Sequence, residues 1–308
     1  MREVERAVIL RLRVICLRLE NIELSDHLEY FISAVHGVSA FNKPLEKVLE
    51  DLYQNIKSLL PANSPPISTA SQALAEAEPK ETAAQQMSEA YQAYQDKNYH
   101  KAFFLYSVLA EQGHAKAQSN LGWLYDNGEG VAQDKGQAVK WYRKAAEQGY
   151  ARAQCNLGLK YSKGEGVGQD KGQALLWYHK AAEQGNVSAQ FNLGLMYNNG
   201  DGVSQDKEQA VKWYRKAAEQ GEAAAQNNLG RLYDKGEGVS QNKEQAVQWY
   251  RKAAEQGNVS AQFNLGWMYE KGEGVRQDTQ QAINWYQKAA EQGDPDAKKK
   301  LTYFLKKP

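Results

Sequence analysis

The chain has 308 residues, with 38 basic side chains against 37 acidic ones and a net charge of +1. That balance leaves no cationic excess for nucleic acid. The two cysteines, Cys16 and Cys155, provide no disulfide framework.

At the start of the chain Leu10, Leu12 and Val14 alternate with Arg11 and Arg13. This strand-like period is lost after Ile15, so residues 1–24 stay unassigned. Arg11, Arg13 and Arg18 cut the apolar stretches into pieces too short for a secretory core or a membrane span. The expected compartment is the cytoplasm, with non-classical secretion left open. From Ser25, the residues Leu28, Phe31, Ile32 and Val35 keep helical spacing up to Gly37. A second helix opens at Pro44 and carries Leu45, Val48, Leu49, Leu52, Ile56 and Leu59 on one stripe. This small N-terminal helical segment, residues 1–60, reads either as an extra hairpin covering the downstream array or as a docking module. Residues 61–79 hold four of the seven prolines, with Ser and Ala, the composition of a linker.

Beyond that linker a helix pair at 81–112 precedes a 36-residue unit that recurs five times over 113–293. Trp141-Tyr142, Trp177-Tyr178, Trp213-Tyr214, Trp249-Tyr250 and Trp285-Tyr286 occupy one place in it, and a period of this size marks a stacked solenoid. In the unit Val187–Gly221, Ala189, Leu193, Met196 and Tyr197 form one helical stripe. Gly200 stands where a left-handed cap is needed, and Gly202 permits the turn beyond it. Asp206 with Gln209 reads as a capping box for a second helix, whose stripe is Ala210, Val211, Tyr214, Ala217 and Ala218. Gly122, Gly158, Gly194, Gly230 and Gly266 sit mid-helix, where glycine costs about 1 kcal/mol against alanine. Their recurrence predicts close approach of the second helix. A last helix opening at Asp294-Pro295, with lysines on its outer side, caps the array over 294–308. The expected fold class is all-α, a right-handed α–α superhelical solenoid of antiparallel helix pairs.

The unit AxAQxNLGxxYxxGxGVxQDxxQAxxWYxKAAEQG resembles the Sel-1-like repeat (SLR) family, a branch of the tetratricopeptide (TPR) superfamily. The divergent pair at 81–112 is similar to a tetratricopeptide hairpin. The resemblance implies a bacterial, non-catalytic scaffold or adaptor mediating protein–protein interaction. A secreted or surface-acting effector using the same solenoid is the alternative it leaves. A β-lactamase-like hydrolase, as in the family's cysteine-rich branch, is weaker, because Cys155 is the only cysteine within 113–293.

Nothing in the sequence assembles a reaction centre. The GEGV and GDGV turns lack the Lys-Ser/Thr of a phosphate loop. His27, His36, His100, His114 and His179 have no zinc spacing, and there is neither a GxSxG nor a Cys–His pairing. No enzyme activity, catalytic residue, cofactor or metal is expected, and the chemistry left is recognition. Counting each first helix from the residue two after the AEQG glycine, positions 3, 4, 7, 8 and 11 share one face. Positions 2, 5, 9, 12 and 13 point the other way. The tetratricopeptide resemblance implies that this second face lines a concave groove for a protein or peptide partner. On it Trp123, Leu159, Phe191, Leu195, Phe263 and Trp267 have no core to fill unless neighbouring helices cover them. Arg231, Glu270 and Lys271 supply a polar rim. Asn156, Asn192, Asn228 and Asn264, with Asn120, form a ladder at position 6, where each can bond a peptide main chain or the adjacent helix. The tryptophans of the Trp141 series are expected to bridge second helices of adjacent repeats.

Overall fold

The computed structural model describes residues 82–306, and the expectations for residues 1–79 lie outside the described residues. The described chain is a succession of antiparallel helix pairs with no strand among the described residues. The divergent first pair is α1 (Ala83–Gln95) with α2 (Tyr99–Glu111). The regular pairs are α3 (Ala115–Asn127) with α4 (Lys135–Glu147), and α5 (Ala151–Lys163) with α6 (Lys171–Glu183). They continue as α7 (Val187–Asn199) with α8 (Lys207–Glu219), and α9 (Ala223–Lys235) with α10 (Lys243–Glu255). The last pair is α11 (Val259–Lys271) with α12 (Thr279–Glu291), followed by α13 (Pro295–Lys306).

Local chemistry sets the ends of these helices. Gly200 closes α7 at φ 80° and donates its N–H to the Met196 carbonyl at 2.8 Å. Gly202, at φ 71°, does more than turn the chain: a Cβ there would lie 2.5 Å from Lys171 Cβ. The turn therefore seats directly on the second helix of the preceding repeat. The capping box expected at Asp206 is only half made. Its carboxylate accepts the Gln209 N–H at 3.0 Å, but its own N–H donates to the Tyr197 carbonyl at 2.9 Å rather than to the Gln209 side chain. The turn is stitched back onto α7, which leaves no free N–H for the glutamine to satisfy.

Close approach at the mid-helix glycines is observed. A Cβ on Gly194 would stand 2.4 Å from Cδ1 of Tyr214, a fully buried ring with nowhere to move. Gly194→Ala should therefore lose stability: overpacking costs about 1–3 kcal/mol, outweighing the propensity gain in most of that range. Gly136→Ala is the control, since its Cβ meets nothing closer than Asp134 Oδ1 at 3.2 Å. Denaturant melts should put Gly136→Ala at or above the parent; equal stability for Gly194→Ala would remove the ring as the wall.

Adjacent pairs are joined by two further devices. Trp213, 4% exposed, leaves α8 to pack among Tyr178, Leu193 and Met196, while Trp141 packs among residues of α1, α2 and α3. Each tryptophan thus inserts into the preceding unit. The second device is a buried glutamine at position 4. Gln190 donates to the Ala182 carbonyl at 3.1 Å and accepts from Gln220 at 2.8 Å, linking α6, α7 and α8 through a helix-end carbonyl that lacks an intrahelical partner. The same linkage recurs at Gln118, Gln154, Gln226 and Gln262.

Side chains of successive first helices also bond one another directly. Trp123 donates to Tyr94 at 3.0 Å, Lys160 to Asp126 at 2.7 Å, Asn264 to Asn227 at 3.0 Å and Lys300 to Glu270 at 2.7 Å. The first helices are thereby tied to one another along the stack, and they position the candidate site. Among the described residues no helix is long and apolar enough to cross a membrane.

Candidate partner-binding groove

The candidate face holds positions 2, 5, 9, 12 and 13 of each first helix, and the structure sorts the expected residues into covered and open ones. The expectation that the apolar side chains have no core to fill is corrected for most of them. Phe191, Leu195 and Trp267 are half-buried and pack against the core of α8 to α11, with the Phe191 ring 6.0 Å from that of Tyr214. Leu159 packs against the core around Tyr178, and Phe263 lies 5.4 Å from the Tyr286 ring. The physical reason is the stack itself: in the repeats of α5, α7 and α11 these positions fall into the crevice between one first helix and its neighbours. Only Trp123 of that set is open, at 37% exposed.

The same register carried outward finds what the repeat-by-repeat reading missed. Position 9 of α1 is Tyr91 and position 9 of α13 is Tyr303, exposed by 55% and 56%. At the α1 end Tyr91 is followed by Tyr94, whose hydroxyl accepts from the Trp123 indole, and by the Arg152 guanidinium 6.0 Å above the Trp123 ring. Tyr, Trp and Arg are the residue types that carry most binding energy at protein interfaces. Their signal was present in the sequence but lies in the divergent pair and the final helix, outside the regular units.

The polar rim is sorted in the same way. Glu270 is committed inside the stack: it accepts from the Tyr286 hydroxyl at 2.7 Å and from Lys300 at 2.7 Å, and its side chain is 14% exposed. Burial pushes its carboxyl up, but the Lys300 and Tyr286 donors outweigh that and hold it below the usual carboxylate range. Arg231 leans on Asn198 at 3.5 Å and Glu237 at 3.9 Å. Lys271 stays exposed, 3.3 Å from Glu270.

The asparagine ladder faces inward more than outward. Asn264 donates to Asn227 of the preceding repeat. Asn156 and Asn228 turn toward the hydroxyls of Tyr142 and Tyr214 without closing a bond of normal length, and Asn192 is half-buried. Burial pushes the Tyr214 phenol up to about 12, with Asn228 acting against it. These groups shape the groove wall.

The Sel1 repeat model matches the chain in six consecutive copies, at residues 83–114, 115–150, 151–186, 187–222, 223–258 and 259–294. The first copy includes the pair that sequence reading set apart as tetratricopeptide-like. Among solved structures, the chain is 41% identical to c5321, a protective antigen of uropathogenic Escherichia coli displaying an SLR fold. That match has a TM-score of 0.70 and covers 79% of this chain and 52% of c5321, so the chain spans about half of that protein's length. A Sel1 repeat protein from Oxalobacter formigenes is 38% identical, with a TM-score of 0.66, over 70% of this chain and 86% of that one. No curated protein matches. With six matched copies over most of the chain and two structural relatives of the same repeat, the chain belongs to the Sel1 repeat family.

Proposed function

We propose that the chain is a non-catalytic scaffold or adaptor that binds another protein along the inner layer of its solenoid. The observation that carries this reading is the open cluster of Tyr91, Tyr94, Trp123 and Arg152 at one end of that layer. A monomeric fold gains little by leaving a tryptophan and a tyrosine uncovered together, and interface hot spots are built of these residue types. Trp123→Ala should weaken the bound partner by roughly 30-fold, about 2 kcal/mol. Because the indole also ties α3 to α1 through Tyr94, some melting temperature is lost with it, and affinities are compared where both chains give the folded circular dichroism signal. The measurement is affinity capture with the full chain, followed by titration of the captured protein against the parent, Trp123→Ala and Tyr91→Ala. Unchanged affinity in both variants would sink the reading.

A second reading, a secreted or surface-acting protein using the same face, is favoured by the similarity to c5321, which is described as a protective antigen. Fractionation of the producing cells separates the two.

A further inference from the structure

The first-helix face covers its position-12 acids and displays its cations. At position 12 the side chains of Asp126, Asp234 and Glu270 are 13%, 20% and 14% exposed, and each is paired with lysines within the stack. Their partners come from the second helix (Lys135, Lys243) or from the next first helix (Lys160, Lys300). One position further on, at 13, the exposed residues are Asn127, Lys163, Asn199, Lys235 and Lys271, neutral or cationic in every copy. Lys116 and Arg152 add exposed cations at position 2. A chain whose total charge is only +1 thus turns a cationic rim toward the inner face.

At the α13 end this rim closes around an open pocket of about 550 Å³ between α11 and α13. Phe263 and Tyr303 supply its aromatic surface, and Lys271, Lys299 and Lys300 stand around them. Lys300 is occupied by Glu270, whereas the Lys271 and Lys299 side chains are 47% and 78% exposed. The exposed acid of the pocket, Asp296, is 3.0 Å from Lys299 in a solvent-facing pair of the kind that contributes little and exchanges readily.

We infer that the groove takes an acidic peptide segment carrying an apolar side chain, with that side chain seated between Phe263 and Tyr303 and its carboxylates on Lys271 and Lys299. This rests on the reading of the inner layer as the binding face. It adds the partner's chemistry and places its anchor at the end opposite Trp123. A carboxylate-rich segment meets the displayed ammonium groups, while a basic segment finds the acids beside them, Glu165, Glu237 and Asp296, each already against a cation of the chain. Charge complementarity of this kind selects the partner and speeds its arrival.

The probe is a random dodecapeptide library displayed on phage and panned against the full chain. Selected peptides should be rich in Asp and Glu around an aromatic or aliphatic residue. Their affinity, read by polarisation of the fluorescein-labelled peptide, should fall roughly ten-fold in the Lys271→Glu/Lys299→Glu double variant, and again as salt rises from about 50 to about 300 mM. Tyr303→Ala should weaken binding as well. Lys140→Glu, an exposed substitution on the second-helix layer, should leave it unchanged. Both pocket lysines are solvent-facing, so the double variant should keep the parent's circular dichroism and melting profile. Peptides without an acidic excess, or acidic peptides that bind the double variant as tightly as the parent, would overturn the inference. If such peptides are instead lost with Trp123→Ala, the inner face stands as the binding face and only the acidic-pocket assignment falls. If neither variant matters, or nothing is selected, both fall together.

Discussion

Truncating Tyr214 to alanine is expected to cost about 3–5 kcal/mol, the range for deleting a large buried ring. Its side chain is 0% exposed and fills the contact that Gly194 leaves open, with the Phe191 ring tilted against it at 6.0 Å. Removing the ring opens a cavity between α7 and α8 that a rigid pair of helices collapses only in part. The hydroxyl behaves differently from the ring. It is buried without a hydrogen bond, so Tyr214→Phe removes an unsatisfied polar group and should be neutral or stabilising. Tyr286→Phe should go the other way by about 1.5–3 kcal/mol, because the Tyr286 hydroxyl donates to the charged Glu270 carboxylate. In a stacked array the damage of Tyr214→Ala is local before it is global. Hydrogen exchange should show lost protection in α7 to α10 first, and a single two-state fit should fail. If phenylalanine proves as damaging as alanine at 214, ring packing is not what Tyr214 contributes.

The Gly194–Tyr214 contact was legible because a costly residue recurs: glycine in mid-helix needs a compensating neighbour, and five copies in register point to it. The helix ends were legible for the same reason. Coverage of Phe191, Leu195 and Trp267 was not, since a helical wheel describes one helix and these side chains are covered by the next. The glutamine ladder was hidden too. Gln190 reads as a polar residue on a core face, and only the arrangement of three helices shows which carbonyl and which amide it joins. Glu270 reads as rim because an acid at the end of a helix is ordinarily solvated. Its partner Lys300 lies 30 residues on, at the ladder position where the regular repeats carry asparagine. Of the candidate site, then, the two sides of each first helix follow from the sequence, while the division into open and covered residues belongs to the packing.

The second large effect concerns Lys160, which stands at position 10 of α5 where the other regular repeats place Leu124, Met196, Leu232 and Met268. Its side chain is 4% exposed, and its ammonium is held 2.7 Å from Asp126 of the preceding repeat and 2.7 Å from Glu165. Burial pushes the Lys160 pKa down, but the two carboxylates outweigh it and hold it above the ordinary lysine value. The hydrogen bond from Lys160 holds Glu165 below the usual carboxylate range against its own desolvation. Two substitutions should therefore differ in cost. Lys160→Met restores the residue type of its sister repeats and leaves Asp126 bonded to Lys135 at 2.7 Å. Only the cation is replaced, yet Asp126 keeps Lys135 and Glu165 is a third exposed, so no carboxylate is stranded and the change is expected to be close to neutral. Asp126→Ala strands the ammonium with Glu165 alone and should cost about 3 kcal/mol. The pH dependence comes from the two shifts. Glu165, with a depressed folded pKa, contributes stability above its unfolded pKa and loses it as pH falls through the folded value. Lys160, with a raised one, contributes fully below its unfolded pKa and loses it only as strong alkali passes the folded value. The parent should thus carry an acid-sensitive component that Lys160→Met lacks, seen as a flatter fall of melting temperature once pH drops below the ordinary carboxylate value toward the depressed value of Glu165. Should Lys160→Met instead lose several kcal/mol, the lysine would be holding the first regular repeats in register, a specificity role that its energetics alone do not require.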